Sequence, residues 1–335
     1  MGSDGSGTFF NFNDCHRKRG QTRQTPFLQW QSFTTGYYQP VREHPKSVAT
    51  VGEVLWDIFP NSIRLGGAPL NFGVHARRLG HPVYLVSAVG ADDRGREATR
   101  EIAAFDLDTT FLETSATLPT GTATVELSAE STSFTIHRPA AYDGMQLAGK
   151  TKRLKDKNPD WLYFGTLFAS MPGGRTFLDR LLDELDAAIK FYDLNLRSGA
   201  DSPELVQHLL ERADVVKLNE EELVRVHEFC NLPSSTEGFC RDGSARYGWR
   251  AVAVTMGARG CALLANENYV EDRGRPVEVA DTVGAGDAFA AAFMHGLSLN
   301  RPLREVAAFA NRVGALVASR HGAIPDWTLE EAVHF

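Results

Sequence analysis

From residue 47 onward, short runs of β-branched and aliphatic residues alternate with longer helical stretches. The runs at 47–55, 83–89, 161–165, 191–197 and 251–263 read as strands, the last folded back on itself through a Gly-rich turn. Between the first two, residues 68–79 read as a helix: Pro69 suits its first turn, and Gly80 followed by Pro82 stops it. Residues 174–188 and 307–319 share that helical texture. At 214–223 a strand passes into a helix, with Asn219 as N-cap and Glu222 closing a capping box. Strand, helix and strand at these lengths predict βαβ units and a mainly parallel sheet. The texture changes between 107 and 138, where 125–127 and 134–138 flank a polar turn and read as a hairpin. Near the C-terminus, a strand-type run at 276–280 leads through a small-residue loop into an apolar helix unbroken until Gly296.

Composition narrows the class. The chain has 335 residues, 43% hydrophobic and 23% charged, which is enough for one large or two ordinary globular domains. A formal net charge of −7 gives no basic footprint, so no nucleic-acid partner is expected. Cys15, Cys230, Cys240 and Cys261 form no Cys-x-x-Cys pair, which points to a reducing, cytoplasmic setting without structural metal. No apolar run reaches the roughly 18 residues of a membrane span, so no membrane partner is expected. Residues 1–46 differ from the rest: rich in Gly, Ser, Thr, Gln and Asn, they sustain no hydrophobic period and contain no secretory h-region. They read as a disordered extension or as a start placed too far upstream.

The candidate chemistry centres on residues 281–287, Asp-Thr-Val-Gly-Ala-Gly-Asp. Gly284, Ala285 and Gly286 carry almost no side chain, so backbone N–H groups at a helix start can approach a ligand closely. The helix dipole adds to the preference for an anion. Asp287, in the first turn, is expected to be held ionised by that dipole, as a general base must be when a hydroxyl attacks a phosphoryl group. Two rival motifs are missing. No Gly-x4-Gly-Lys-Ser/Thr occurs, and a dinucleotide fingerprint would need Gly at 289, which is Phe.

The extended pattern Asp-Thr-x-Gly-Ala-Gly-Asp-Ala-Phe resembles the second signature of the ribokinase-like (PfkB) sugar kinases. Gly66-Gly67-x-x-x-Asn71, Leu79-Gly80 and Val89-Gly90-x-Asp92-x-x-Gly95 resemble the first. The wording around Trp56 and Pro69 is similar to fructokinase-like members. The resemblance covers about residues 47–335. It implies a three-layer α/β/α sandwich, mainly parallel, with a small β-sheet lid inserted mainly within 60–70 and 107–138. It implies an ATP-dependent phosphotransferase, with Asp287 as base and Gly284, Ala285 and Gly286 as the anion hole. Asp57, Gly67 and Asn71 would hold the sugar, joined by Arg138 from the lid edge.

For the nucleotide, the resemblance implies Asn195 in an Asp193-x-Asn-x-Arg197 run, Thr255, Gly257 and Gly260 along the ribose and phosphates, and Asn311 and Gly322 beside the adenine. It implies Mg²⁺ organised by Asn219 and Glu222, mostly through water, leaves a K⁺ requirement open, and allows a homodimer through the lid. Fructose is the expected substrate. Ribose, 2-keto-3-deoxygluconate or adenosine are the alternatives within the class, and a non-catalytic sugar sensor or a dehydrogenase those outside it. A sensor should have lost the base or the anion hole, and both are intact. A dehydrogenase needs a Gly-rich fingerprint after the first strand, which Gly52-Glu53-Val54 does not supply.

Overall fold

Nine strands of a computed structural model lie in one sheet and four in another, within the described residues 45–127, 132–146, 149–197 and 199–335. The expected extension, 1–46, falls outside them except for its last two residues. The strands are β1 (Val48–Val51), β2 (Leu55–Phe59), β3 (Ser62–Gly66), β4 (Val83–Gly90), β5 (Leu112–Ser115), β6 (Gly121–Leu127) and β7 (Thr132–His137). They continue with β8 (Trp161–Gly165), β9 (Ile189–Asp193), β10 (Val215–Asn219), β11 (Ala251–Thr255), β12 (Cys261–Ala265) and β13 (Asn268–Asp272). The large sheet has the order β13-β12-β11-β10-β9-β8-β1-β4-β5. From β11 to β5 neighbours run parallel, and β12 and β13 are added antiparallel at one edge.

Both faces of the large sheet are buried, which is why its strands read as nearly continuous apolar runs. Successive side chains point to opposite faces. On β8, Trp161 and Tyr163 enter one hydrophobic cluster and Leu162 and Phe164 the other; β11 divides Ala251 and Ala253 from Val252 and Val254 in the same way. One cluster takes in the helices Ala68–Arg78, Ala285–Ser298 and Leu303–Ala318, and the other takes Pro172–Glu184, Pro203–Arg212 and Glu220–Cys230. Three layers result, as the resemblance implies. The Ala285–Ser298 helix is buried on all sides from Ala288 to Leu297. Its small residues let it lie close to the next helix: a Cβ on Gly296 would stand 2.8 Å from Val306 Cγ1.

The small sheet, β3-β2-β6-β7, is the lid. Its strands β2 and β6 are parallel and its outer pairs antiparallel. Four expectations need correction here. The run 47–55 is not one strand: the chain leaves the large sheet at Gly52, whose φ of 146° and closeness to Pro69 suit glycine, and Leu55 already belongs to the lid. Asp57 is therefore a lid residue, in register with Arg64 on β3 and Ala123 on β6. Within 107–138, β5 pairs with β4 in the large sheet and contributes nothing to the lid. Residues 276–280 form no ladder strand; Pro276 lacks a donor, and the amide of Ala280 bonds the Ala318 carbonyl of a helix instead.

Candidate active site

The Ala285–Ser298 helix begins at Gly284, whose φ of 80° is left-handed. A side chain there would be strained and would also overlap the Ala323 backbone. Gly286 has a different neighbour: a Cβ on it would lie 3.2 Å from Lys217 Nζ, so an ammonium stands beside the helix N-terminus. Asp287, two-thirds of a turn into the helix, accepts a hydrogen bond from Asn71 Nδ2 at 2.9 Å. Burial, and then the charge of Asp193, raise its carboxyl to about 7 against the pull of Asn71, Lys217 and Arg197. The expectation that the helix dipole alone keeps Asp287 fully ionised is corrected: desolvation outweighs it. A carboxyl near 7 still suits a general base, since about half of it is ionised at neutral pH and the ionised form is basic enough to take a proton.

Asn71 comes from the first turn of the Ala68–Arg78 helix, which starts after Gly67 (φ 111). No side chain at Gly67 caps that helix; Glu53 does so from outside, its carboxylate meeting the Ala68 amide. A Cβ on Gly67 would overlap the Glu53 carbonyl, and one on Gly66 would stand 2.7 Å from Asp57 Oδ2. The glycine pair thus lets the helix start slide in between two acidic residues. Burial raises Glu53 to about 7 and Asp57 to about 6, and Arg197 opposes the rise in both. The sugar candidates Asp57, Gly67 and Asn71 are brought together with the base Asp287. The oxygen Asn71 Oδ1 is buried and accepts no hydrogen bond.

Glu53 and Lys217 were not singled out by sequence. Lys217 Nζ bonds Asp193 Oδ1 at 3.0 Å, and Tyr163 donates to Asp193 Oδ2 at 3.1 Å. Burial opposes the lysine charge, but Asp193, Glu222 and Asp287 outweigh it and hold the ammonium above its ordinary value. Asp193, which opens the Asp193-x-Asn-x-Arg197 run, is fully buried.

The nucleotide candidates form a second group. Gly257 has φ 56 and open space where a side chain would be, so its backbone is approachable. Gly260 is different: a Cβ there would run into the Asp272 carbonyl and Gly274, so this glycine serves packing of the β11–β12 turn. Asn311 donates to both Asp272 Oδ2 (2.8 Å) and the Asp272 carbonyl, which fastens its helix to the end of β13, against which Gly260 is packed. Thr255, at the end of β11, is half-buried. Asn195 is left-handed (φ 43), beside Leu196, whose amide bonds Glu222. Gly322 does not stand with this group; its amide donates to Asp281 Oδ2 at 3.1 Å, under the anion-hole loop.

Asn219 and Glu222 make the capping box predicted from their spacing. Asn219 Oδ1 accepts from the Glu222 amide and Glu222 Oε2 from the Asn219 amide, both at 2.8 Å, while Glu222 Oε1 takes the Leu196 amide at 2.7 Å. With both carboxylate oxygens so engaged, the pair fits a hydrated cation through water rather than a direct cage. Among the described residues, no cluster of three or more His, Cys, Asp or Glu could hold a metal.

Arg138 stands apart from these groups. Its guanidinium is spent on Asp143, Ser170 and the Leu167 carbonyl, and stacks near Tyr142. It also lines a cavity of about 380 Å³ with Asp92, Arg94 and His137. It anchors the end of the lid, and none of its hydrogen bonds reaches Asp57, Asn71 or Asp287.

Comparison with known proteins agrees with this geometry. A fructokinase from Escherichia coli is 31% identical over 301 residues, covering 83% of this chain and 94% of that protein. Among solved structures, an uncharacterized sugar kinase from Pyrococcus horikoshii in complex with ATP superposes with a TM-score of 0.75 at 26% identity, over 86% of this chain and 97% of that one. A fructokinase from Vibrio cholerae in a fructose-, ADP- and calcium-bound form gives 0.74 at 25%, over 87% and 98%. No helix among the described residues is long and apolar enough to cross a membrane. The pfkB family carbohydrate kinase model matches residues 50–329, and with both of its signatures meeting at Asn71 and Asp287, the chain belongs to that family of sugar kinases.

Proposed function

We propose that this sugar kinase transfers the γ-phosphate of ATP to a primary hydroxyl of fructose. The observation that carries the reading is the 2.9 Å hydrogen bond from Asn71 to Asp287, which joins a hydroxyl-binding helix start to an anion-binding one around a carboxyl near pKa 7. Asp287 accepts the proton of the sugar hydroxyl. Asn71 orients that carboxylate, and its unpaired Oδ1 is available to a donor that a sugar brings. Asp57 and the Gly67 backbone complete the sugar contacts. Backbone amides of residues 284–287, with the Lys217 ammonium behind them, stabilise charge on the transferring phosphoryl group, the main catalytic task in this chemistry.

Nucleotide binding is assigned to Asn195, Thr255 and Gly257, with Gly260 and Asn311 shaping the turn behind them. ATP accompanied by Mg²⁺ supplies the phosphoryl group. The cation would be held by phosphates and water, with Asn219 and Glu222 at one remove. Fructose is preferred because several of the similar relatives are named fructokinases. A coupled ADP-release assay with Mg-ATP and K⁺, across fructose, ribose, 2-keto-3-deoxygluconate and adenosine, tests this. Turnover with fructose supports it; turnover with another acceptor alone replaces the substrate. Asp287→Asn is expected to lower kcat by ~10²–10⁴-fold while retaining sugar binding. Near-normal turnover in a folded Asp287→Asn protein removes the base assignment.

A further inference from the structure

One ion pair crosses from the lid to the anion-hole loop. Arg64 lies on β3, directly opposite the sugar candidate Asp57 on β2. Its guanidinium rests 4.8 Å from the centre of the Phe59 ring on the same lid, and Nη1 bonds Asp281 Oδ2 at 2.7 Å across 217 residues of sequence. Asp281 opens the loop that ends in Gly284. Its Oδ1 accepts the Val283 amide at 3.0 Å, and its Oδ2 also accepts the Gly322 amide at 3.1 Å. One carboxylate therefore fixes the turn before the anion hole and the neighbouring 322–323 segment, against which Gly284 is packed without room for a side chain. Arg64 is the lid's contribution to that carboxylate.

We propose that Arg64 is a positioning residue which ties closure of the lid over the sugar to the geometry of the anion hole. The inference rests on the kinase reading above. Arg64 touches neither reacting atom in this scheme; it acts through Asp281. With the lid closed, Arg64 neutralises Asp281 and holds the Val283 and Gly322 amides on one acceptor. With the lid displaced, Asp281 loses its cation, its hold on the two amides loosens, and with it goes the support that presses residues 281–284 against 322–323. Phosphoryl transfer is then favoured only when the sugar site is covered, which also limits loss of the nucleotide to water.

The test compares Arg64→Ala, Arg64→Lys, Asp281→Asn and the Arg64→Ala/Asp281→Asn double variant with the full-length wild type, using Mg-ATP and whichever acceptor the wild type turns over. Arg64→Ala is expected to lose ~10–10²-fold in kcat with a smaller change in either KM, because misplacement of a stabilising group costs turnover. Arg64→Lys should recover most of it. The double variant should be no worse than the poorer single one, since the two residues act as a unit. Losses that multiply in the double variant, or an Arg64→Ala enzyme within twofold of wild type, overturn the proposal. Hydrogen exchange on the ligand-free proteins tests the contact without turnover. Faster exchange at Val283 and Gly322 is expected in Arg64→Ala, and unchanged exchange overturns the proposal even if no acceptor in the panel is used. Silence of the wild type across the panel would count against the kinase reading alone.

Discussion

Asp287 shows how one position can serve function at the expense of stability. Its carboxyl stands at about 7 in the fold against an ordinary 3.8. An acid whose folded pKa is raised stabilises fully below its unfolded value, and that contribution is lost as pH rises through the folded one. At pH 8 the folded protein therefore carries a desolvated charge beside Asp193 that Asp287→Asn would remove. The Asn variant is expected to be more stable than wild type at pH 8 by on the order of 4 kcal/mol, and nearly equal to it only at about pH 3, below the unfolded value. Melting curves at the two pH values check this; a gain independent of pH would contradict the burial argument. Activity runs the other way, and kcat/KM of the wild type should rise with pH through about 7 as the base ionises. Asp287 and Asn71 were legible in the sequence because each sits in a long, restrictive motif. Lys217 was not: it is a single cation in the apolar run of β10, and its partner Asp193 is 24 residues away. The available signal was that a lysine inside a buried strand demands a counter-charge. Lys217→Met leaves the fully buried Asp193 without its cation, and a cost of ~3–5 kcal/mol is expected in denaturant unfolding.

Helix starts do most of the site's work among its elements, and the glycines that precede them differ in kind. The sequence marks Gly67, Gly257, Gly260 and Gly284 alike, yet their surroundings do not match. Gly284 and Gly67 both have positive φ and are walled in by main chain, Ala323 in one case and Glu53 in the other. Gly257 is equally left-handed but faces open space. Ala at Gly257 should cost only the backbone strain of ~1–2 kcal/mol, with its effect on activity appearing in the KM for ATP. Ala at Gly284 adds a main-chain overlap to that strain, so the anion hole itself must shift. Its expected signature is a fall of ~10²-fold or more in kcat, which a steady-state comparison of the two variants reads directly. Equal behaviour of the two would mean that the Gly284 turn can relax. Element boundaries were less legible than element types. The strand at 161–165 and the capping box at Asn219 were read correctly, since a short apolar run and a local side-chain pair are decided nearby. The break at Gly52 was not, because the Pro69 ring that leaves no room for a side chain there is brought up only after the lid hairpin has turned back.

At the scale of the whole molecule, the sheet gathers residues from 53 to 322 at one end of its parallel strands, where ligands bind in open α/β folds. The order of the strands carries no local mark and was not read from the sequence; the three-layer architecture was reached through the family resemblance rather than from periodicity. The lid is the clearest case: nothing in the pattern of Leu55–Phe59 says that it leaves the large sheet to pair with β6, about sixty residues later. That assembly also gives the acceptor site its electrostatic character. Glu53, Asp57 and Asp287 converge on it, with Arg197 as the cation that lowers all three, in a chain of net charge −7. A neutral sugar brings hydroxyls that can donate to these carboxylates. A sugar acid brings another carboxylate into a place where three carboxyls already meet, and desolvation adds to the penalty. The expected result is a kcat/KM for fructose at least ~10²-fold above that for 2-keto-3-deoxygluconate, and a gap that narrows as salt screens the approach of the anion. Measuring both acceptors at fixed Mg-ATP and K⁺, at low and high ionic strength, separates the two contributions. A ratio that ignores salt would place the discrimination in contacts within the closed site, and a preference for the acid would require Arg197 to outweigh all three carboxylates.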